Sequence, residues 1–256
     1  MKIARRLTAT TTPRWLIAGI TVLAALTTPA AAQPPAMVVS VAASMHEALT
    51  EIAGEYRAAT GMTVGLNTGS SNTLARQIVE GAPAALFLSA DDIQMDVVEK
   101  AGRIVVGTRT RLLSNALAII VPADRAGTVT MEHVISGRIN RLAMAEPNAV
   151  PAGVYGRAFF ERQGTWDRLR PTVVPFPTVR AVLAAVENGR VDAGVVYRTD
   201  TINARVSTIA TVGDLNIVHS AAVIVGPRAV EARRFLDFLR SDQARAVFKK
   251  RGFDPQ

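Results

Sequence analysis

From residue 37 onward, short apolar runs alternate with stretches in which apolar positions recur every three or four residues. The first pattern predicts strands at 37–41, 62–66, 85–89, 116–121, 141–145, 172–176, 193–197 and 217–225. The second predicts helices at 45–59, 74–80, 91–101, 131–136, 152–163, 179–188, 230–239 and 242–250. In the first helix Leu49, Ile52, Ala53 and Tyr56 share one stripe. Gly61, Gly81 and Gly102 stand where a left-handed residue ends a helix. Strands and helices alternating at this spacing imply βαβ units, with largely parallel pairing and helices on both faces.

The runs 116–121 and 217–225 are long and apolar, and each falls at a junction between two α/β sets. They divide the chain into two lobes linked twice. One lobe is 33–115 with 222–256, the other 116–221. A hinge of this kind puts a cleft at the carboxyl ends of parallel strands, where open α/β sheets bind ligands.

The first 32 residues read differently. Lys2, Arg5, Arg6 and Arg14 make a basic start, an apolar run follows from Leu16 to Leu26, and Ala30-Ala31-Ala32 is a small-residue cleavage signal. This is an export signal peptide cut near Ala32, and Arg5-Arg6 leaves the twin-arginine route open beside the general one. The chain has no cysteine, so disulfides, thiolate metal sites, cysteine nucleophiles and a lipid anchor on cysteine are all excluded. The mature chain is expected to be periplasmic, free of the membrane and monomeric. The formal charge of +8 falls to +4 without the leader, with 25 basic against 21 acidic side chains, and no basic stripe with interleaved aromatics marks a nucleic-acid surface.

Four segments carry the candidate chemistry, each a small polar or Gly/Pro turn opening into a helix. They are Ala42-Ala43-Ser44, Gly69-Ser70-Ser71-Asn72-Thr73, Pro151-Ala152-Gly153 and Thr178-Val179-Arg180. Helix N-termini offer unpaired N–H groups and a partial positive charge, so segments converging on one cleft would hold an anion without a charged side chain. Ser44 and Glu47 have the spacing of a capping box, and Thr178 that of a cap. Tyr197 closes an apolar strand, placed to donate its hydroxyl into a cleft. The residues alone leave Ser70 beside Ser71, and Thr178 beside Val179, as alternatives. His46, His133 and His219 lack metal-ligand spacing and are read as surface or packing residues. No Walker A, dinucleotide or nucleophile-elbow motif is present.

Together these segments resemble the periplasmic molybdate-binding proteins of ABC importers, from about Val38 to Phe253. The strongest stretch runs from Gly69-Ser70-Ser71-Asn72-Thr73-Leu74 through Gly81-Ala82-Pro83 to Phe87-Leu88-Ser89-Ala90-Asp91. Leu112-Leu113-Ser114-Asn115, Val150-Pro151-Ala152-Gly153-Val154-Tyr155, Val179-Arg180 and Gly194-Val195-Val196-Tyr197 add to it. The resemblance implies a type II periplasmic-binding-protein fold, α/β, with two mostly parallel sheets around a hinged cleft. It also implies a non-enzymatic receptor without cofactor, whose ligand is molybdate or tungstate and whose partner is a membrane-embedded permease. Carried over by position, Ser44, Ser71, Ala152, Val179 and Tyr197 hold the oxyanion, with no direct metal ligand. His46, Asn72 and Ala85 depart from the family's usual residues and fall at no ligand position. A receptor for another oxyanion such as sulfate, or an exported hydrolase using Ser44 or Ser71, are the alternatives.

Overall fold

The computed structural model describes residues 37–256, and the leader expected over 1–32 lies outside them. The first half alternates as read: β1 (Met37–Ala42), α1 (His46–Thr60), β2 (Val64–Gly69), α2 (Ser71–Val79), β3 (Leu86–Ser89) and α3 (Asp92–Lys100). The long β4 (Thr110–Pro122) then leads into α4 (Met131–Ile135), β5 (Leu142–Ala145), α5 (Pro151–Arg162) and the one-turn α6 (Trp166–Leu169). After these come β6 (Val173–Phe176), α7 (Val179–Glu187), β7 (Ala193–Tyr197) and the longer β8 (Val206–Val223). The chain closes with α8 (Ala229–Leu239), α9 (Asp242–Lys250) and the short β9 (Asp254–Pro255).

Both halves carry parallel pairs. β1 lies between β2 and β3, and β5 between β6 and β7, all parallel. The two expected sheets are joined into one hydrogen-bonded ladder, in the order β2-β1-β3-β8-β4-β7-β5-β6. The joint is the antiparallel β4–β8 pair, whose register slips between Arg111 and Leu113, Asn115 and Leu117, and Ile119 and Ile120. Such bulges bend strands and increase twist, so one ladder curls through both halves. β8 begins well before the apolar run that marked it: residues 206–216 are mostly exposed or half-buried. That stretch pairs with the second part of β4.

The core follows the strands. Val39, Val41, Leu86, Leu88, Leu117, Ile119, Leu142, Val195 and Ala221 are fully or almost fully buried, with helices packed against them. A satellite cluster of Leu74, Ile78, Phe87, Met95 and Val98 seats α2 and α3. Gly61 has the left-handed backbone its place after α1 requires, with φ of 74°. Among the described residues no helix is long and apolar enough to cross a membrane.

Candidate functional site

The carboxyl ends of six parallel strands meet around one small cavity. Ala42, Ala43 and Ser44 follow β1; Gly69, Ser70 and Ser71 follow β2; Ala90 follows β3. From the other half come Val150, Pro151 and Ala152 after β5, Thr178 and Val179 after β6, and Tyr197 at the end of β7. Its volume is about 20 Å³ for the centre of a water-sized sphere, little more than one water needs. A space of that size suits a small ion better than a sugar or an amino acid. No charged side chain lines it.

Helix geometry supplies the donors. α2, α5 and α7 begin at Ser71, Pro151 and Val179, all on the cavity wall. The first N–H groups of a helix have no carbonyl one turn back to bond. In α5 the Pro151 nitrogen carries no hydrogen and Val154 N already bonds Val150 O at 2.9 Å, which leaves Ala152 and Gly153 as the open donors. In α7 the Thr178 hydroxyl accepts from Ala181 N at 3.2 Å, and Val182 N bonds Thr178 O at 3.3 Å. Thr178 is thereby the cap of α7, and Val179, its first helical residue, stands beside it on the cavity wall.

The hydroxyls are set in the same sense. Ser71, 1% exposed, accepts from Ala90 N at 3.0 Å through its Oγ, so its own proton is free to be given away. Ser70 instead donates to Thr73 Oγ1 at 2.9 Å. The Tyr197 side chain is 1% exposed and its hydroxyl finds no partner among the described residues. Burial raises its pKa well above the ordinary phenol value, so it remains a neutral donor. An unpaired buried hydroxyl is unfavourable, and here it opens into the cavity. Substituting Ser44→Ala or Ser71→Ala is expected to weaken anion binding by about 1.5–3 kcal/mol each, the range for hydrogen bonds to a charged group. Calorimetric titration checks this, and unchanged affinity in both variants would remove these serines from the site.

One expectation is corrected. Ser44 forms no capping box: α1 starts at His46 behind Met45 with no side-chain cap. Glu47 is drawn instead to Arg180 at 2.9 Å and Arg251 at 3.1 Å. Arg180 also donates to Ala43 O at 3.0 Å and lines an adjoining charged groove with Glu47, Asp200 and Arg251, which shares Ser44 with the cavity. His219, read as a surface or packing residue, has a more particular place. It is wholly buried on β8, with Nε2 3.4 Å from Ser44 Oγ, and its ring stands edge-on to Tyr197 and Phe253, each 5.4 Å away. A lone ionisable residue inside the apolar run Ile217-Val218-His219 was the available signal. His46 and Asn72 lie off the cavity wall, His46 bonding Thr68 Oγ1 at 3.0 Å.

A Ser–His contact raises the hydrolase alternative again, and the geometry opposes it. His219 Nδ1 has no partner among the described residues, so no third group orients the ring. Burial also lowers the imidazole pKa to about 3, which leaves a poor general base. That shift has a sign in stability. Below about pH 6.5 an unfolded histidine takes up a proton that the folded one refuses, so stability falls by about 1.4 kcal/mol per pH unit towards pH 3. Asp91 and Asp200, raised by burial to about 6 and about 7, act oppositely. Their folded forms hold protons more tightly, so acidification from pH 7 to 4 stabilises. Urea denaturation of wild type and His219→Gln at pH 7 and 5 isolates the histidine. The wild type is expected to lose about 2 kcal/mol relative to the variant; parallel pH profiles would contradict the buried neutral state.

Comparison with known proteins agrees with this architecture. A family model for bacterial extracellular solute-binding proteins matches residues 37–254. The chain is 34% identical to the molybdate-binding protein ModA of Escherichia coli (strain K12), over 94% of this chain and 98% of that protein. Among solved structures, the Azotobacter vinelandii periplasmic molybdate-binding protein superposes with a TM-score of 0.77 at 24% identity, covering 85% of this chain and 98% of that one. The sulfate-binding protein SubI from Mycobacterium tuberculosis H37Rv gives 0.76 at 15% identity, covering 87% of each chain. These last two likenesses show the type II periplasmic-binding fold. By the family match and by its relatives' identity over nearly its full length, this chain belongs to the bacterial extracellular solute-binding proteins.

Proposed function

We propose that this chain is a periplasmic receptor that captures molybdate, and tungstate too, between two lobes and hands it to the membrane permease of an ABC importer. The observation that carries the reading is the uncharged cavity walled by three helix starts and the hydroxyl side chains of Ser44, Ser70, Ser71, Thr178 and Tyr197. Molybdate and tungstate are unprotonated dianions at neutral pH, and a wall made only of donors suits them. Hydrogen phosphate carries a proton that such a wall leaves unpaired, at a cost of about 1–3 kcal/mol. Sulfate has the same charge and shape but is smaller, so cavity size alone separates it. The 34% identity to a molybdate-binding protein supports the larger ion.

In this reading the lobes are 33–115 with 222–256, and 116–221, joined through β4 and β8. The anion touches both only when they close, so binding shifts an open–closed equilibrium. No step is chemical and no cofactor takes part. The mature protein works as a monomer, exported by the leader over 1–32 and without an anchor.

Thermal unfolding of the mature chain with molybdate, tungstate, sulfate and phosphate in turn tests this. A ligand at about 1,000 times its dissociation constant adds about 4 kcal/mol, several degrees in Tm. A rise with molybdate and tungstate alone is expected. A rise with sulfate alone would keep the receptor and change its ligand, and no rise with any anion would overturn the reading.

A further inference from the structure

We propose that His219 is a specificity-determining positioning residue: its Nε2–H donates to Ser44 Oγ, so the Ser44 proton is left for a bound anion. The proposal rests on the oxyanion reading above and adds a residue outside the cavity wall. His219 does not line the cavity; it contacts Ser44 from β8, 175 positions away in sequence.

The tautomer follows from the partners. A neutral imidazole has one N–H and one bare nitrogen. Nε2 faces Ser44 Oγ at 3.4 Å, while Nδ1 is buried without a partner among the described residues. Placing the proton on Nδ1 would bury an unpaired donor; placing it on Nε2 leaves only an unpaired lone pair, the milder penalty. The rings of Tyr197 and Phe253, each 5.4 Å from that of His219, hold the imidazole plane. The Ser44 hydroxyl therefore accepts from behind and points its proton forward. Ser71 is built the same way, accepting from Ala90 N at 3.0 Å. Both serines thus have one lone pair engaged by a neighbouring N–H, which leaves their protons for the anion and disfavours accepting a proton from it. In this arrangement discrimination against hydrogen phosphate comes from behind the wall, through a side chain that never touches the ion.

Calorimetric titration with sodium molybdate and with inorganic phosphate, on wild type, His219→Met, His219→Asn and His219→Gln, tests this. Gln keeps an N–H near the position of Nε2, whereas Asn places its amide short of Ser44 and Met has no donor. The preference for molybdate over phosphate is expected to fall about tenfold in the Met and Asn variants and to stay near wild type in the Gln variant. In a Ser44→Ala background the His219→Met change should leave the preference unmoved, because its effect runs through the serine. Wild-type preference in both Met and Asn variants would overturn the role of His219 while leaving the receptor intact. A wild type that binds no molybdate would instead overturn the receptor reading, and this role with it.

Discussion

Gly153→Ala is expected to abolish anion binding and to destabilise the fold by about 3 kcal/mol or more, beyond ordinary overpacking. A Cβ at this position would stand 2.1 Å from Ala145 O and 2.6 Å from Glu146 O, both backbone atoms that cannot swing aside. α5 therefore starts in direct contact with the end of β5, and only a residue without a side chain allows it. The shift needed to relieve the clash moves the whole first turn, and with it the open N–H of Ala152. Gly54→Ala is the control. That glycine lies inside α1 with nothing within 4 Å of its would-be Cβ, so alanine there should raise stability by up to about 1 kcal/mol. Denaturant melts and calorimetry on the two variants read both effects. A Gly153→Ala protein that binds as wild type would show that the start of α5 is not part of the site.

Tyr197→Phe should move affinity and stability in opposite directions. The phenol oxygen is buried with no partner among the described residues, so removing it relieves a desolvated polar group. The ligand-free variant is expected to be as stable as wild type, or more so by about 1 kcal/mol. The same change removes a neutral donor aimed at the anion and should weaken binding by about 1.5–3 kcal/mol, roughly ten- to a hundredfold or slightly more. A residue that served packing alone would lose stability or show no change in affinity. Loss of stability with undiminished binding would contradict the placement of Tyr197 as a donor.

Much of this arrangement is legible in the sequence because it rests on local rules. Turns such as Gly69-Ser70-Ser71 and Pro151-Ala152-Gly153 end one periodicity and open another, which places helix starts at strand ends. Parallel pairing, forced by βαβ spacing, brings those ends to one edge. The choice of Val179 over Thr178, and of Ser71 over Ser70, came first from family resemblance. For Ser71 a physical reason, its contact with Ala90 N, is visible only once the chain is folded. Interactions across long sequence distances were not legible. Glu47 carries a capping-box spacing but is claimed by Arg180 and Arg251, from elements that fold beside it. The first part of β8 does not stand out, because its side chains are mostly exposed or half-buried and the stretch is held by its backbone pairing with β4. His219 was set aside for lack of metal spacing, although an ionisable side chain in an apolar strand needs a partner of some kind.

The most direct test is a crystal structure of the mature chain grown with molybdate, with data collected above the molybdenum absorption edge. A single anomalous peak within hydrogen-bond reach of Ser44 Oγ, Ser71 Oγ, Tyr197 Oη and the N–H groups of Ala152 and Val179 is expected, with no charged side chain in contact. A peak in the neighbouring groove beside Arg180 and Arg251, or no peak at saturating molybdate, would contradict a receptor that holds its anion by neutral donors alone.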